Sequence, residues 1–509
     1  MTEVLSVASE VFPLAKTGGL ADVTGALPAA VAPHDVTMTT LVPGYPAVRA
    51  ALGEARVLHR YDNLLGVEAQ LLESRLGSFP LLVLDAPALF QRSGGLYGDS
   101  HGVDWADNWR RFAALGRAAA DLASGLLSDR RYDILHAHDW QAAMGAAYLQ
   151  YSPISPSPAA SVVTIHNIAF QGRFDRAIFD FLGLPPHAYS IDGVEYYGGV
   201  GFLKAGLFNA DAITTVSPTY AREIRMPEFG MGLQGLITTR EDSVSGIVNG
   251  IDPAIWNPKT DTDLVKRYTA ATLDDRKANK KAIEAGFNLS PGDGPLFTVV
   301  SRITWQKGMD ILAGQLDALV AAGGRLALLG AGDASLEAQY RAAASRHPGR
   351  IGVAIGYNEK VSHLLQGGAD AILIPSRFEP CGLTQLYGLT YGCVPVASRT
   401  GGLADTIIDA NDAAVTAGAA TGILFEGVTA ERIRDAINRT IALYEQPLVW
   451  RGLQRQGMKA DFSCSAAARG MRRCIGDCWN ALHPDAQAWR TSGPGRRRIR
   501  GAGARCNGR

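Results

Sequence analysis

The 509-residue chain contains no run of 18 or more apolar residues, so no membrane-spanning helix is expected. It also lacks a basic segment and cleavage site at its start. The first residues pass straight into the strand-like "EVLSVASEVF", which argues against a secretory leader. Cysteine is scarce. Six in a chain of this length make no disulfide framework, and reduced thiols in the cytoplasm are the expectation. Net charge is zero, and a nucleic-acid partner is not expected for the body of the protein. The balance nevertheless conceals an asymmetry. Residues 464–509 hold ten Arg and two Asp, with no Lys or Glu, leaving 39 basic and 47 acidic residues in 1–463. That tail also holds four of the six cysteines. Such a segment reads either as a nucleic-acid arm or as plain polar sequence.

Several chemical signatures are incomplete. "LLGAGDAS" (328–335) has G-x-G but not the third glycine of a dinucleotide fingerprint. "KTGGLAD" (16–22) places its glycines after the Lys-Thr pair, the reverse of a Walker A loop. His136 and His138 in "HAHDW" have metal-ligand spacing but no further ligand cluster nearby. Asp139 there suits a helix N-cap. "DTD" (261–263) imitates a metal-holding D-x-D, but in a proline-rich connection it reads better as helix capping. No metal is expected, nor a carboxylate pair acting as nucleophile and acid.

What the sequence does contain is an ordinary globular composition, 47% hydrophobic and 19% charged, and length for two or three domains. Strand-like runs alternate with helical ones: 4–9, 36–43, 80–85, 133–138, 161–167 and 212–217, with helices over 105–127 and 140–150. After a stretch dense in Pro, Gly, Asn and Asp the alternation restarts, with strands at 296–302, 325–330, 351–356, 371–376 and 394–398. The expected fold is α/β, two Rossmann-like doubly wound lobes facing a central cleft. The first lobe spans 1–245, the hinge 246–262, the second lobe 263–463, and an atypical Arg/Cys-rich tail 464–509. Ligands in such sheets bind beyond the carboxyl ends of the strands.

The hexapeptide "TGGLAD" occurs twice, at 17–22 and 400–405. Each copy follows a strand-like run and opens a helix-like one, predicting one strand-loop-helix unit per lobe. Glycines admit an anion to backbone amides at a helix start, and Lys16 adds a full charge. The alternative is a tight turn that needs positive φ. "SRITWQKG" (301–308) sets Arg302 and Lys307 on a loop after a strand, where two cations could neutralise a departing diphosphate without a metal. "PSRFEPCGLTQ" (375–385) places Glu379 before a helix start at Gly382, Leu383 and Thr384. In "TIHN", His166 ends a strand of the first lobe and would face the cleft.

Together with "LVPGYP", "GLYGD", "NGIDPAIWNP" and "RTGGLADTI", these stretches resemble the bacterial glycogen synthases and plant starch synthases, in order across roughly 3–463. The resemblance implies the GT-B architecture, a metal-independent reaction and ADP-glucose as donor, with no other cofactor. It implies glucose transfer to the non-reducing end of glycogen or another α-1,4-glucan, with retention of configuration. By resemblance, Lys16, Gly18 and Gly19 face the donor phosphates and Asp22 contacts the sugar. Asn249 is the hinge asparagine, His166 contacts the transferring glucose, and Asp139 helps to position the acceptor side. Arg302 and Lys307 bind the diphosphate, Glu379 is the family's acid, Cys381, Gly382, Leu383 and Thr384 form the donor-binding helix start, and Tyr357 stacks near the adenine. The alternatives are a relative using UDP-glucose or another acceptor, and a silent glucan- or nucleotide-binding protein.

The resemblance ends at "DFS" (461–463). There the family continues with Trp and a helix that braces the first lobe; here Cys464 opens an Arg- and Gly-rich segment, the composition a shifted reading frame produces in a GC-rich gene. Only a short helix around 475–483 is expected in place of the brace.

Overall fold

The computed structural model describes residues 1–152 and 159–482. A nine-stranded sheet forms the first lobe, in the order Val244–Gly246, Ala212–Thr215, Ala160–Ile165, Ile134–His138, Thr2–Val7, Val36–Pro43, Phe79–Asp85, Val67–Leu76, Arg56–Leu64. Its first seven strands run parallel. Apart from the edge strand Val244–Gly246 they are mostly buried, because helices cover both faces. The last two form an antiparallel hairpin closed by Leu65 and Gly66, both at positive φ, as a two-residue turn of the primed type requires. The sequence reading passes over this hairpin, since its outer strand is largely exposed.

A six-stranded parallel sheet builds the second lobe, in the order Ile351–Ile355, Arg325–Gly330, Leu296–Val300, Ala371–Ile374, Val394–Ser398, Ile423–Phe425. All eleven expected strands lie within two residues of their expected limits at both ends. The strand expected over 371–376 ends at Ile374, so Pro375 and Ser376 are already in the loop that carries Glu379. Phe297, Val299, Leu326, Leu328 and Tyr340 anchor one face of this sheet, with Ile283, Leu296 and Leu365 on the other.

The chain crosses between lobes twice, and the crossings pair. Ile251 N–H donates to Phe462 O at 2.8 Å, and Cys464 N–H to Ile251 O at 3.0 Å. The 261–263 stretch caps no helix, contrary to expectation. Asp261 is buried and accepts from His363 Nδ1 at 2.7 Å and from Tyr391 Oη at 2.5 Å. His363 in turn stacks on Trp256 and Trp256 on Tyr387. This clamps the connection onto the second lobe.

The expectation for the segment after Ser463 needs correction as well. Residues Cys464–Leu482 form one helix against the first lobe. Cys464, Ala468, Met471 and Ile475, spaced as an apolar stripe, join Val4, Leu27, Val31 and Val162 in a common core. Small and medium side chains at helical period suffice for the brace, and the Arg residues leave that stripe intact. The remainder of the tail, 483–509, lies outside the described residues.

Candidate functional site

The first "TGGLAD" copy begins the helix Gly19–Val31. Gly18 is extended there, with φ −159°, so positive φ is not its reason. The loop is held from below by Glu10, a buried carboxylate at the end of the first strand. Thr17 donates to it through N–H at 2.7 Å and Oγ1 at 2.5 Å, and Tyr97 Oη at 2.6 Å. Gly18 N–H also points to Glu10, at 3.3 Å. Those amides therefore serve the loop's shape, leaving Lys16 and the helix start to meet an anion. Lys16 Nζ lies 2.8 Å from Asp22 and 3.6 Å from Glu359 of the second lobe, and 5.9 Å from the centroid of the Tyr357 ring. Tyr357 is 71% exposed, and its hydroxyl donates to Glu359 at 2.6 Å.

Opposite, Gly382 (φ +75°) turns the chain into the helix Thr384–Tyr391, whose N-terminus has no side-chain cap. Leu383 approaches Gly19 so closely that a Cβ there would sit 3.0 Å from its Cδ1. The two glycine loops thus face each other across the cleft. The Cys381 thiol is buried, packs with the first lobe's core and is pushed up to about 12 by that burial; it serves the lobe contact.

Glu379 is buried and receives Lys307 Nζ on both oxygens, at 2.8 and 2.6 Å, and Ser376 Oγ at 2.7 Å. Arg302 does not share this cluster; it is exposed and reaches Gln306 Oε1 at 3.3 Å. The cations expected to act together are thus held differently, one fixed and one free to meet a ligand. The second "TGGLAD" copy supports Glu379 from behind, with Gly402 N–H donating to Glu379 O at 3.1 Å. A Cβ on Gly401 (φ +43°) would overlap that carbonyl. The same loop also docks the lobes. Asp405 accepts from Ser217 Oγ at 2.6 Å and Thr219 N–H at 2.8 Å, while Glu223 accepts from Gly401 N–H at 2.9 Å.

The first lobe supplies the floor. Asp139 is not an N-cap: it begins the helix Asp139–Gln150 itself, at φ +55°, with no side-chain cap. Its Oδ1 instead accepts from the backbone N–H of His166 at 2.7 Å and Asn167 at 3.3 Å. Burial raises its pKa to about 7 against the pull of those two amides. Positive φ in an aspartate is costly, and such strain clusters at functional sites. Behind His166 lies a cavity of about 30 Å³, lined among others by His138, His166, Asn249, Cys464 and Met471, so the last helix walls the site. His136 and His138 turn inward, to Thr164 at 2.7 Å and Ser6 at 3.2 Å.

Sequence reasoning missed Glu10, Ser376, Glu359 and the Asp405–Glu223 docking pair. Glu10 could have been suspected as an acid at a strand end, but its partner Tyr97 is 87 residues away. The docking carboxylates meet residues about 180 positions distant.

Two Rossmann-like lobes, an uncapped helix start facing a lysine loop, and a lysine paired with a buried acid define a glycosyltransferase of the GT-B fold. Residues 3–239 match the starch synthase catalytic domain, and residues 280–452 the glycosyl transferases group 1. The chain belongs to the glycogen synthase family. It is 63% identical over 468 residues to a glycogen synthase of Novosphingobium aromaticivorans, covering 92% of this chain and 96% of that one. With a glycogen synthase of Mesorhizobium japonicum it shares 59% over 466 residues, again 92% and 96%. The catalytic domain of starch synthase IV from Arabidopsis thaliana, bound to ADP and acarbose, superposes with a TM-score of 0.85. That match has 28% identity and covers 94% of this chain and 99% of that one. Among the described residues no helix is long and apolar enough to cross a membrane.

Proposed function

We propose that the protein transfers glucose from ADP-glucose to the non-reducing end of an α-1,4-glucan with retention of configuration, in the cytoplasm. The observation that carries this reading is the meeting of the Lys16 loop, the uncapped helix start at Thr384 and the Lys307–Glu379 pair around one cleft. The diphosphate takes the helix N-terminus, with its partial positive charge, and draws Lys16 away from Asp22 and Glu359. Arg302, without a carboxylate partner among the described residues, and Lys307, held by Glu379, neutralise the charge that develops as ADP leaves. The exposed Tyr357 face suits a base, and the larger purine gains more from stacking there. On the floor, Asp139 fixes the backbone of His166–Asn167, and the His166 ring meets the glucose. No metal is needed, since Lys307 and Arg302 do its work. Free thiols at Cys381, Cys393 and Cys464 suit a reducing compartment.

Incorporation of label into glycogen from ADP-glucose, with UDP-glucose in parallel, tests the proposal. Transfer mainly from ADP-glucose is expected. Equal or greater transfer from UDP-glucose would refute the donor assignment, and no transfer from either by a folded, ADP-binding protein would refute the activity.

A further inference from the structure

Three side chains at the ends of adjacent parallel strands make a continuous chain into the cleft. Ser6, on the strand Thr2–Val7, is fully buried, as is His138 at the end of Ile134–His138. Ser6 Oγ lies 3.2 Å from His138 Nε2, and His138 Nδ1 lies 3.0 Å from His166 Nε2. Burial holds both imidazoles neutral, drawing His138 well below the usual histidine range and His166 to about 3. Each ring therefore carries one proton, and each contact needs one donor and one acceptor. Among the described residues Ser6 Oγ makes no other hydrogen bond. If His138 Nε2–H donated to it, the serine's own proton would be buried without an acceptor, an arrangement folded proteins avoid. The satisfied arrangement runs one way. Ser6 Oγ–H donates to His138 Nε2, and His138 Nδ1–H donates to His166 Nε2. The proton of His166 is thereby confined to Nδ1, which has no partner among the described residues.

We propose that His138 is a positioning residue that, anchored by Ser6, sets the tautomer of His166 so that it presents an N–H donor to the sugar. This rests on the reading of His166 as a sugar contact and extends it. His166 then stabilises a hydroxyl oxygen of the transferring glucose and does not take a proton from the acceptor. His138 acts only through His166.

The amide variants separate this from a packing role. An Asn amide reaches the Nδ1 position and can still donate to His166, whereas a Gln amide reaches the Nε2 position and cannot. His138→Asn should keep kcat within about threefold of wild type. His138→Gln should lower kcat roughly ten- to hundredfold, the scale of one lost transition-state hydrogen bond, with KM for the nucleotide sugar little changed. Equal losses in both variants would overturn the proposal. Imidazole ¹⁵N spectra of histidine-labelled protein give a readout independent of transfer. His166, identified by its absence in His166→Ala, should be protonated at Nδ1 in the wild type and shift toward Nε2 protonation in Ser6→Ala. An Nε2-protonated His166 in the wild type, or no change in Ser6→Ala, would overturn it. The spectra test the relay even if glucosyl transfer is not the reaction, so the two readings can fail separately.

Discussion

Consider the removal of one partner from the Lys307–Glu379 pair. The side chains are only 18% and 8% exposed, and both carboxylate oxygens receive the ammonium. Lys307→Met keeps the aliphatic stem and strands a buried carboxylate. Breaking a buried pair from one side costs about 3–5 kcal/mol. Ser376 Oγ still donates to Glu379 at 2.7 Å, which puts the expected loss near the lower end, about 3 kcal/mol. In a lobe of this size that lowers Tm by roughly 6–12 °C. Adding Glu379→Gln removes the stranded charge, so the double variant should recover most of the loss. Activity should not recover, because the cation facing the departing diphosphate is missing in both; kcat should stay down by ~10²-fold or more. Thermal unfolding and labelled transfer measured on the wild type, both single variants and the double variant decide the matter. A double variant as unstable as Lys307→Met would refute the stranded-charge argument. A double variant with restored kcat would refute the role of Lys307 in leaving-group stabilisation.

Asp139 makes stability depend on pH. Its carboxyl is raised from 3.8 to about 7 in the fold, so the native state binds more protons than the unfolded chain in that window. Its contribution is present below about pH 4 and is lost as pH rises to about 7. Relative to Asp139→Asn, the wild type should lose stability across that range in denaturant titrations, and a constant difference would contradict this. Gly401→Ala should displace the Glu379 carbonyl, since its Cβ has no room and its φ is +43°. Transfer should fall by ~10²-fold, as for a displacement of about 1 Å, and unchanged kcat would show that the loop does not position Glu379. Met471→Ala and Ile475→Ala each remove a buried side chain from the first lobe's core and should cost about 2–5 kcal/mol in urea unfolding. Losses below 0.5 kcal/mol in both, against that range, would show that the last helix is not part of the fold's core.

Eleven of the thirteen parallel strands were legible because most of each is buried on both faces, whereas the three-residue edge strands Val244–Gly246 and Ile423–Phe425 were too short to read; the loops that follow the legible strands could be placed at the cleft from that alone. The antiparallel hairpin over 56–76 and the small sheet around 173–201 were not. Their strands are short or half exposed and lack that signal. Lys16, Lys307, Glu379 and His166 were legible as candidates because a charged or imidazole side chain in the loop after a strand is conspicuous. Their supports were not, since Glu10, Ser376 and His138 act through contacts made only when distant strands align. The helix after Ser463 escaped notice for another reason. Arginine count and a missing Trp drew attention to composition, whereas packing depends on the period of its apolar residues.

The repeated hexapeptide shows how far local sequence goes. Both copies of "TGGLAD" follow a strand and open a helix, so the turn is legible. The backbone inside it is not: Gly18 is extended at −159° whereas its counterpart Gly401 sits at +43°. In the first copy Lys16 pairs with Asp22, and the loop hangs from Glu10, leaving the cation turned to the cleft. In the second, Arg399 turns out to Glu426, so Asp405 lacks the neighbour that Asp22 has and crosses to Ser217 and Thr219 of the other lobe. Glu223 returns the contact to Gly401 N–H. A single residue before the repeat thus goes with the division of labour: the lysine copy turns its cation to the cleft, while the arginine copy holds Glu379 and docks the lobes. Identical residues specify a common turn, and the charges facing that turn decide its work.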